Sequence, residues 1–414
     1  MSRPRLLAIG ALVVLLVAAL FVPRGGNDDD GSVAPAAGPK SSLRPGAVGR
    51  VTVSAADRAE IERVVAEGQA LGRQLGAGVG RELSRGSTKG LSLLNRVVPA
   101  AVRCADLTGQ RYCLGVGWTD RTEAQVQAAT LAQARTAVRR SVSTTGTGDL
   151  DLVASLERSA ALGPRTRATA ERAELTEAAR AVAKVWQLRH EIEGVPLPRS
   201  LRAASRTGAT ATPTTAVDPE TKTPADYPQR FSILDKNQVA EQVRSYWCGP
   251  ASMQMITWGW KKKDLGQAHW ARKLGTTTSG SSISAMVKVV NDNTGWDKPA
   301  YAGPYIVLDI GKWSYDQWML LVMRHVADYR APLVLHPVLR KEYYPYLDDN
   351  ASGHFQVGRG YDQRGARPDL VGYFEPWNQA RFDPSEPPIS RVQWRNAYKS
   401  YRANKAHYQH NIGV

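Results

Sequence analysis

The chain has 414 residues, of which 43% are hydrophobic and 22% charged, and its formal net charge is +16. This length and apolar content allow two or three domains with a sizeable core and exclude wholesale disorder. The positive charge is spread over both halves, without a dense basic stripe or a nucleic-acid-binding motif, so nucleic acid is excluded as an expected partner. A weak attraction to an anionic cell envelope is compatible with the charge.

The first predicted element is an export segment. Arg3 and Arg5 precede an uncharged, mostly apolar run over residues 6–22, which is typical of such segments. The run is long for a cleaved signal and short for a spanning helix. Residues 1–23 are therefore predicted to be a signal peptide or an N-terminal membrane anchor, with a transmembrane helix in the second case. Either alternative places the remainder outside the cytoplasm, secreted or anchored to the outer face of the membrane by residues 6–22.

Residues 24–50 are rich in Gly, Pro, Ser and Asp and predict a flexible spacer. Residues 51–195 predict a mainly helical domain, because apolar residues recur at helical spacing in Ala-rich stretches. Within it, Cys104 and Cys113 flank the turn-like "DLTGQ". A disulfide there suits an oxidising compartment, and two reduced thiols are the alternative. The third cysteine, Cys248, is then left over, which indicates an intermolecular or reactive thiol.

Residues 196–227 are rich in Pro, Thr and Ser and predict a linker. Residues 228–414 predict an α+β domain. A helix begins at or just after Cys248, because Pro250 fits a first helical turn. "GHFQVGRGYD" and "DLVGYFEPW" predict two late antiparallel strands.

These elements contain the groups that thiol catalysis requires. Cys248 at a helix N-terminus is placed for a lowered thiol pKa. His354, at the start of a strand, is a candidate base, and Glu375 or Asn378 after the partner strand is a candidate to orient its imidazole. Gln242 is a candidate oxyanion donor beside the Cys248 backbone N–H. A free cysteine among apolar residues is usually buried and inert, but this combination favours the nucleophile.

The segments "QVRSYWCGPAS", "GHFQVGRGYD" and "YFEPWN" resemble papain-like cysteine peptidases of the bacteriocin-processing type, most closely the stand-alone exported bacterial branch. The resemblance covers about residues 237–378. It implies that Cys248 is the nucleophile, His354 the base and Gln242 the oxyanion donor. It also implies a nucleophile helix packed on antiparallel strands. "EP" stands where the family has "DP", so Glu375 takes the orienting position unless Asn378 does.

The expected function is thus peptide hydrolysis through an acyl-enzyme on Cys248, with a peptide or protein substrate. Cell-wall peptide amidase activity, another thiol acyl transfer, and an inactive papain-like binding module are the alternatives. No cofactor is expected, and no metal-binding motif is present. The helical N-terminal domain is predicted to act as a prosegment or as a partner-binding module.

Overall fold

We describe a computed structural model of the chain over residues 47–75, 88–139, 148–150, 152–199, 201, 222–347, 350–364, 369–385 and 388–414. The helices are α1 (Ala55–Arg73), α2 (Thr88–Ala101), α3 (Glu123–Arg139), α4 (Leu152–Ala161), α5 (Pro164–Glu193), α6 (Cys248–Lys261), α7 (Gln267–Leu274), α8 (Ile283–Asn293), α9 (Tyr315–Met323), α10 (Gln379–Phe382) and α11 (Ala397–Ala406). The strands are β1 (Cys104–Leu107), β2 (Gln110–Cys113), β3 (Gly117–Thr119), β4 (Arg230–Ser232), β5 (Val307–Asp309), β6 (Leu333–Leu335), β7 (Gln356–Asp362), β8 (Leu370–Phe374), β9 (Val392–Asn396) and β10 (Asn411–Gly413).

The strands of the described residues form one sheet in the order β1-β2-β3-β5-β10-β6-β7-β8-β9, and β4 pairs with β7. Paired strands are antiparallel, except that β3 runs parallel to β5 where Trp118 faces Leu308. Helices pack on this sheet, so the predicted α+β class is confirmed.

The N-terminal and C-terminal parts share both this sheet and its core. Trp118 of β3 and Leu175 and Val182 of α5 are buried in the same hydrophobic cluster as Leu308 and Trp318. Leu43–Val414 accordingly forms one compact unit. The prediction separated a helical domain over 51–195 from a second domain over 228–414. The structure joins them because the apolar faces of α5 and of the β1–β3 hairpins are buried against the C-terminal part.

The end of the predicted linker is also packed on this unit. Tyr227 is buried, and its hydroxyl donates to Asp328 at 3.0 Å. Lys222 forms an ion pair with the same carboxylate at 2.6 Å. Residues 202–221 of the predicted linker, and residues 1–46 with the predicted export segment and most of the spacer, lie outside the described residues.

The prediction of a transmembrane helix is corrected here. Among the described residues, each helix is too short or too polar to cross a membrane. The apolar run over residues 6–22, on which that prediction rested, lies outside the described part of the chain.

One helix and three loops set the position of the predicted site. Helix α6 begins at Cys248, and Pro250 lies in its first turn, where the missing N–H costs no hydrogen bond. The N–H of His354 donates to the carbonyl of Pro337 at 2.9 Å. The N–H of Gln242 donates to the carbonyl of Pro376 at 2.7 Å, so the loop before α6 is tied to the loop after β8.

Candidate active site

Cys248 is the first residue of α6 and has no exposed surface. Burial raises the pKa of its thiol well above the usual range. Hydrogen bonding with the Phe355 main chain acts in the opposite direction, and the charges of Asp149 and Glu375 raise the pKa further. The helix N-terminus was predicted to lower this pKa. In this conformation burial outweighs that effect, so the thiol is protonated and covered.

His354 and Glu375 form a buried pair. Nε2 of His354 lies 2.6 Å from Oε1 of Glu375, and both side chains are almost wholly shielded from solvent. Burial alone would raise the pKa of Glu375, but the neighbouring His354 and the hydrogen bonds from Trp377 and Gln356 outweigh it and lower that pKa. The carboxylate is therefore charged and fixes the ring. The other ring nitrogen, Nδ1, is buried and has no hydrogen-bond partner among the described residues.

Further donors hold the Glu375 carboxylate in place. The backbone N–H of Trp377 donates to Oε1 at 2.9 Å. The side-chain amide of Gln356 donates to Oε2 at 2.7 Å, and the Tyr346 hydroxyl donates to the same oxygen at 3.1 Å. Together with His354, these groups fix both carboxylate oxygens, so Glu375 presents its charge to the imidazole in one orientation. These donors are placed to meet the carboxylate of Glu375, which has one methylene more than the Asp expected at this position.

Gln242 is buried in the loop that precedes Cys248. Its side-chain Nε2 donates to the carbonyls of Arg244 at 3.1 Å and Ser245 at 2.8 Å. In the structure, the side-chain amide hydrogens of Gln242 are directed at its own loop, and its role as oxyanion donor stays a prediction. An oxyanion donor would have to turn one of them towards a substrate carbonyl.

Asn378 does not take the orienting position. Its side-chain oxygen accepts the backbone N–H of Arg381 at 3.0 Å and caps α10. Glu375 makes the hydrogen bond to His354 instead. The prediction that Asn378 is an alternative orienting residue is therefore wrong, because three residues beyond Glu375 the chain has already begun a helical turn.

Cys104 and Cys113 are joined by a disulfide and face each other across the β1–β2 hairpin. Cys248 is thus left as a free, buried thiol. The hairpin belongs to the N-terminal part of the sheet, so the disulfide supports the fold.

A second buried cluster, which sequence reasoning did not identify, consists of Asp149, His336 and His407. Asp149 Oδ1 lies 2.8 Å from Nε2 of His336, and Oδ2 lies 2.9 Å from Nε2 of His407. Burial favours a raised pKa for Asp149, but the two imidazoles outweigh it and lower the pKa to about 2. The only sequence signal was the presence of two histidines, one directly after β6 and one directly after α11, since the carboxylate comes from a distant part of the chain.

The ligand atoms of this cluster lie within 4.8 Å of one another, close enough for a metal ion. The hydrogen bonds argue against that use. Nδ1 of His407 accepts the backbone N–H of Gln409 at 3.2 Å, so the ring proton is on Nε2 and is donated to Asp149. A metal would need the Nε2 lone pair. The hydrogen bonds of His407 therefore do not fit a metal centre at this cluster.

A protein-family model described as "Peptidase_C39 like family" matches residues 230–406. The match spans both Cys248 and the His354–Glu375 pair, and it supports a papain-like cysteine peptidase as the C-terminal part of the chain. No curated protein and no solved structure matches the chain.

Proposed function

We propose that this protein is an exported thiol peptidase with Cys248 as nucleophile, His354 as base and Glu375 as the residue that orients His354. The observation that carries the proposal is the 2.6 Å contact between His354 Nε2 and a charged, four-fold hydrogen-bonded Glu375. It directs the unpartnered Nδ1 of His354 away from the carboxylate. An imidazole in this state can accept a thiol proton.

The reaction would proceed in two steps. The Sγ of Cys248 attacks the carbonyl carbon of the peptide bond, and its proton passes to Nδ1 of His354 and then to the leaving amine. Water next attacks the thioester, gives a proton to His354, and releases the acid and the thiol. Glu375 stabilises the imidazolium in both steps. The Cys248 backbone N–H and one amide hydrogen of Gln242, turned away from Ser245, would stabilise the oxyanion.

The conformation described here is a resting one, because the thiol is protonated and buried. Turnover therefore requires a rearrangement that exposes Cys248. The N-terminal part shares the core with the peptidase part, which favours a role as a built-in prosegment over that of a freely docking partner module. The Cys104–Cys113 disulfide supports an extracytoplasmic location.

The test is hydrolysis of quenched fluorescent peptides and an unfolded protein by the full chain, before and after limited proteolysis between residues 202 and 221. We expect activity to be lost by about three orders of magnitude or more in Cys248→Ala and in His354→Ala. His269→Gln, which alters a histidine outside the site, is the matched control. Full activity in Cys248→Ala would refute the proposal. Absence of hydrolysis by a chain with an exposed thiol would favour a binding module.

A further inference from the structure

A three-residue segment of the N-terminal part, Gly148–Leu150, is held in the manner of a bound peptide. Asp149 forms a parallel β-bridge with Ser281. The N–H of Ser281 donates to the carbonyl of Gly148 at 2.9 Å, and the N–H of Leu150 donates to the carbonyl of Ser281 at 2.8 Å. The Tyr408 hydroxyl donates to the carbonyl of Leu150 at 2.8 Å. Main-chain pairing of this kind is how extended peptides bind at sheet edges.

The segment lies against both sides of the candidate site. A Cβ on Gly148 would collide with the main chain of Tyr246, two residues before Cys248. A Cβ on Gly353, directly before His354 in the chain, would collide with the Asp149 carboxylate. The segment therefore runs between the loop that carries the nucleophile and the loop that carries the base.

The Asp149 carboxylate is also an electrostatic neighbour of the thiol, because its charge is among the causes that raise the pKa of Cys248. Asp149 is itself buried, as is Leu150. Residues 148–150 thus lie next to the candidate site, between Tyr246 and Gly353.

The side chain of Asp149 enters a pocket that is built for a carboxylate. His407 donates its Nε2 proton to one oxygen. His336 faces the other oxygen, and its Nδ1 lies 2.7 Å from Oδ1 of Asn411. Asn411 uses its own amide nitrogen to donate to Val116, so its oxygen must accept from Nδ1. The pocket therefore presents two imidazole Nε2 atoms to the carboxylate, and the one of His407 donates a hydrogen bond to it.

We propose that the substrate cleft contains a subsite for an acidic side chain, formed by His336 and His407, which Asp149 occupies so that Gly148–Leu150 blocks Cys248. The ligand class is a peptide with a small residue followed by Asp, bound through its main chain to Ser281. The substrate part of this inference rests on the proposed function. The blocking part concerns only access to the thiol.

Access is measured by the alkylation of Cys248 with iodoacetamide at pH 7.5 in the full-length protein, in which Cys248 is the only free thiol. Removing one partner of a buried ion pair is strongly destabilising. We therefore expect Asp149→Ala to release the segment and to accelerate alkylation on the order of a hundredfold. Asp292→Asn, on an exposed face of α8, is the control and should leave the rate unchanged.

Tyr408→Phe removes one hydrogen bond to the segment with little change in side-chain volume. This variant is the alternative test of the blocking role if Asp149→Ala fails to fold. Loss of one hydrogen bond predicts an acceleration of about fivefold. An unchanged alkylation rate in a folded variant overturns the blocking role.

The subsite is tested in Asp149→Ala with the peptide acetyl-Thr-Gly-Asp-Leu-amide and its Asn counterpart. We expect the Asp peptide to protect Cys248 from alkylation at concentrations at least about tenfold lower than the Asn peptide, because only a carboxylate meets both imidazoles. Equal protection by the two peptides, or none by either, overturns the acidic subsite. Neither assay depends on turnover. A protein that shows accelerated alkylation and selective protection but no hydrolysis would contradict the proposed function and the role of the pocket as a substrate subsite, and would leave intact the blocking role and the binding of an acidic side chain.

Discussion

Replacing Glu375 with Gln tests the centre of the proposed mechanism. Glu375 accepts hydrogen bonds from His354 and Trp377 on one oxygen and from Gln356 and Tyr346 on the other. Whichever way a glutamine amide turns, its NH₂ group faces two donors. One buried donor left without an acceptor costs about 1–3 kcal/mol. The free energy of unfolding should therefore fall by about 2–5 kcal/mol in Glu375→Gln.

The same substitution removes the charge that stabilises the His354 imidazolium. Two unit charges about 4 Å apart interact by about 4 kcal/mol at an effective dielectric constant near 20. This corresponds to a loss in kcat/KM of about three powers of ten. Glu375→Asp keeps the charge but withdraws it by one methylene, so its kcat/KM should lie between those of Glu375→Gln and the wild type.

The assay combines urea unfolding with kcat/KM on a fluorescent peptide, and Glu62→Gln on the exposed face of α1 is the matched control. Because the pKa of Glu375 is lowered in the folded state, its contribution to stability is present above the unfolded value of about 4.3. It should be lost as the pH falls through the folded value. Glu375→Gln should lack this acid-dependent loss. A folded Glu375→Gln variant with wild-type kcat/KM would refute the reasoning.

Three further predictions concern stability. Burial lowers the pKa of Lys184 well below its usual range, so Lys184→Met should raise the free energy of unfolding at pH 7 by about 1–4 kcal/mol. The free energy of unfolding of the wild type should increase from pH 7 towards pH 10. An equal increase with pH in Lys184→Met would contradict the assignment. Reducing the Cys104–Cys113 disulfide should lower the free energy of unfolding by about 2–4 kcal/mol, and a Cys104→Ala, Cys113→Ala variant should be insensitive to reductant. Trp118→Ala, at the junction of β3 and β5, should cost about 3–5 kcal/mol and lower the midpoint of a single calorimetric transition; two separate transitions would contradict the shared core.

The candidate site was predictable where its parts lie in local motifs. Cys248 could be found because Gly and Pro after it mark a helix start, and His354 and Glu375 because each lies beside a strand with a clear pattern. The choice between Glu375 and Asn378 was not predictable. It depends on where the chain turns into α10, and helix starts are uncertain by a few residues in sequence reasoning.

The remainder depended on contacts between distant residues. Asp149 meets His407 across 258 residues of chain, and no local pattern indicates such a pair. The pairing of β3 with β5 was not predicted for the same reason, since a Pro- and Thr-rich linker separates the N-terminal part from the C-terminal part in sequence. The pKa of the Cys248 thiol was predicted to be lowered and is raised in this conformation. The position at a helix start can be read from the local sequence, whereas burial is set by the whole fold.

The position of β10 has a consequence for the order in which the protein can mature. It lies between β5 and β6 and is the only strand among the described residues that links the β1–β5 side of the sheet to the side that leads to His354 and Glu375. Asn411, at its start, also supports His336. A ribosome makes this strand after the nine others, so a nascent chain cannot close the sheet until its last described segment has emerged. Through the sheet, the β1–β5 side and the side that leads to His354 and Glu375 would then be joined only after synthesis had passed β10.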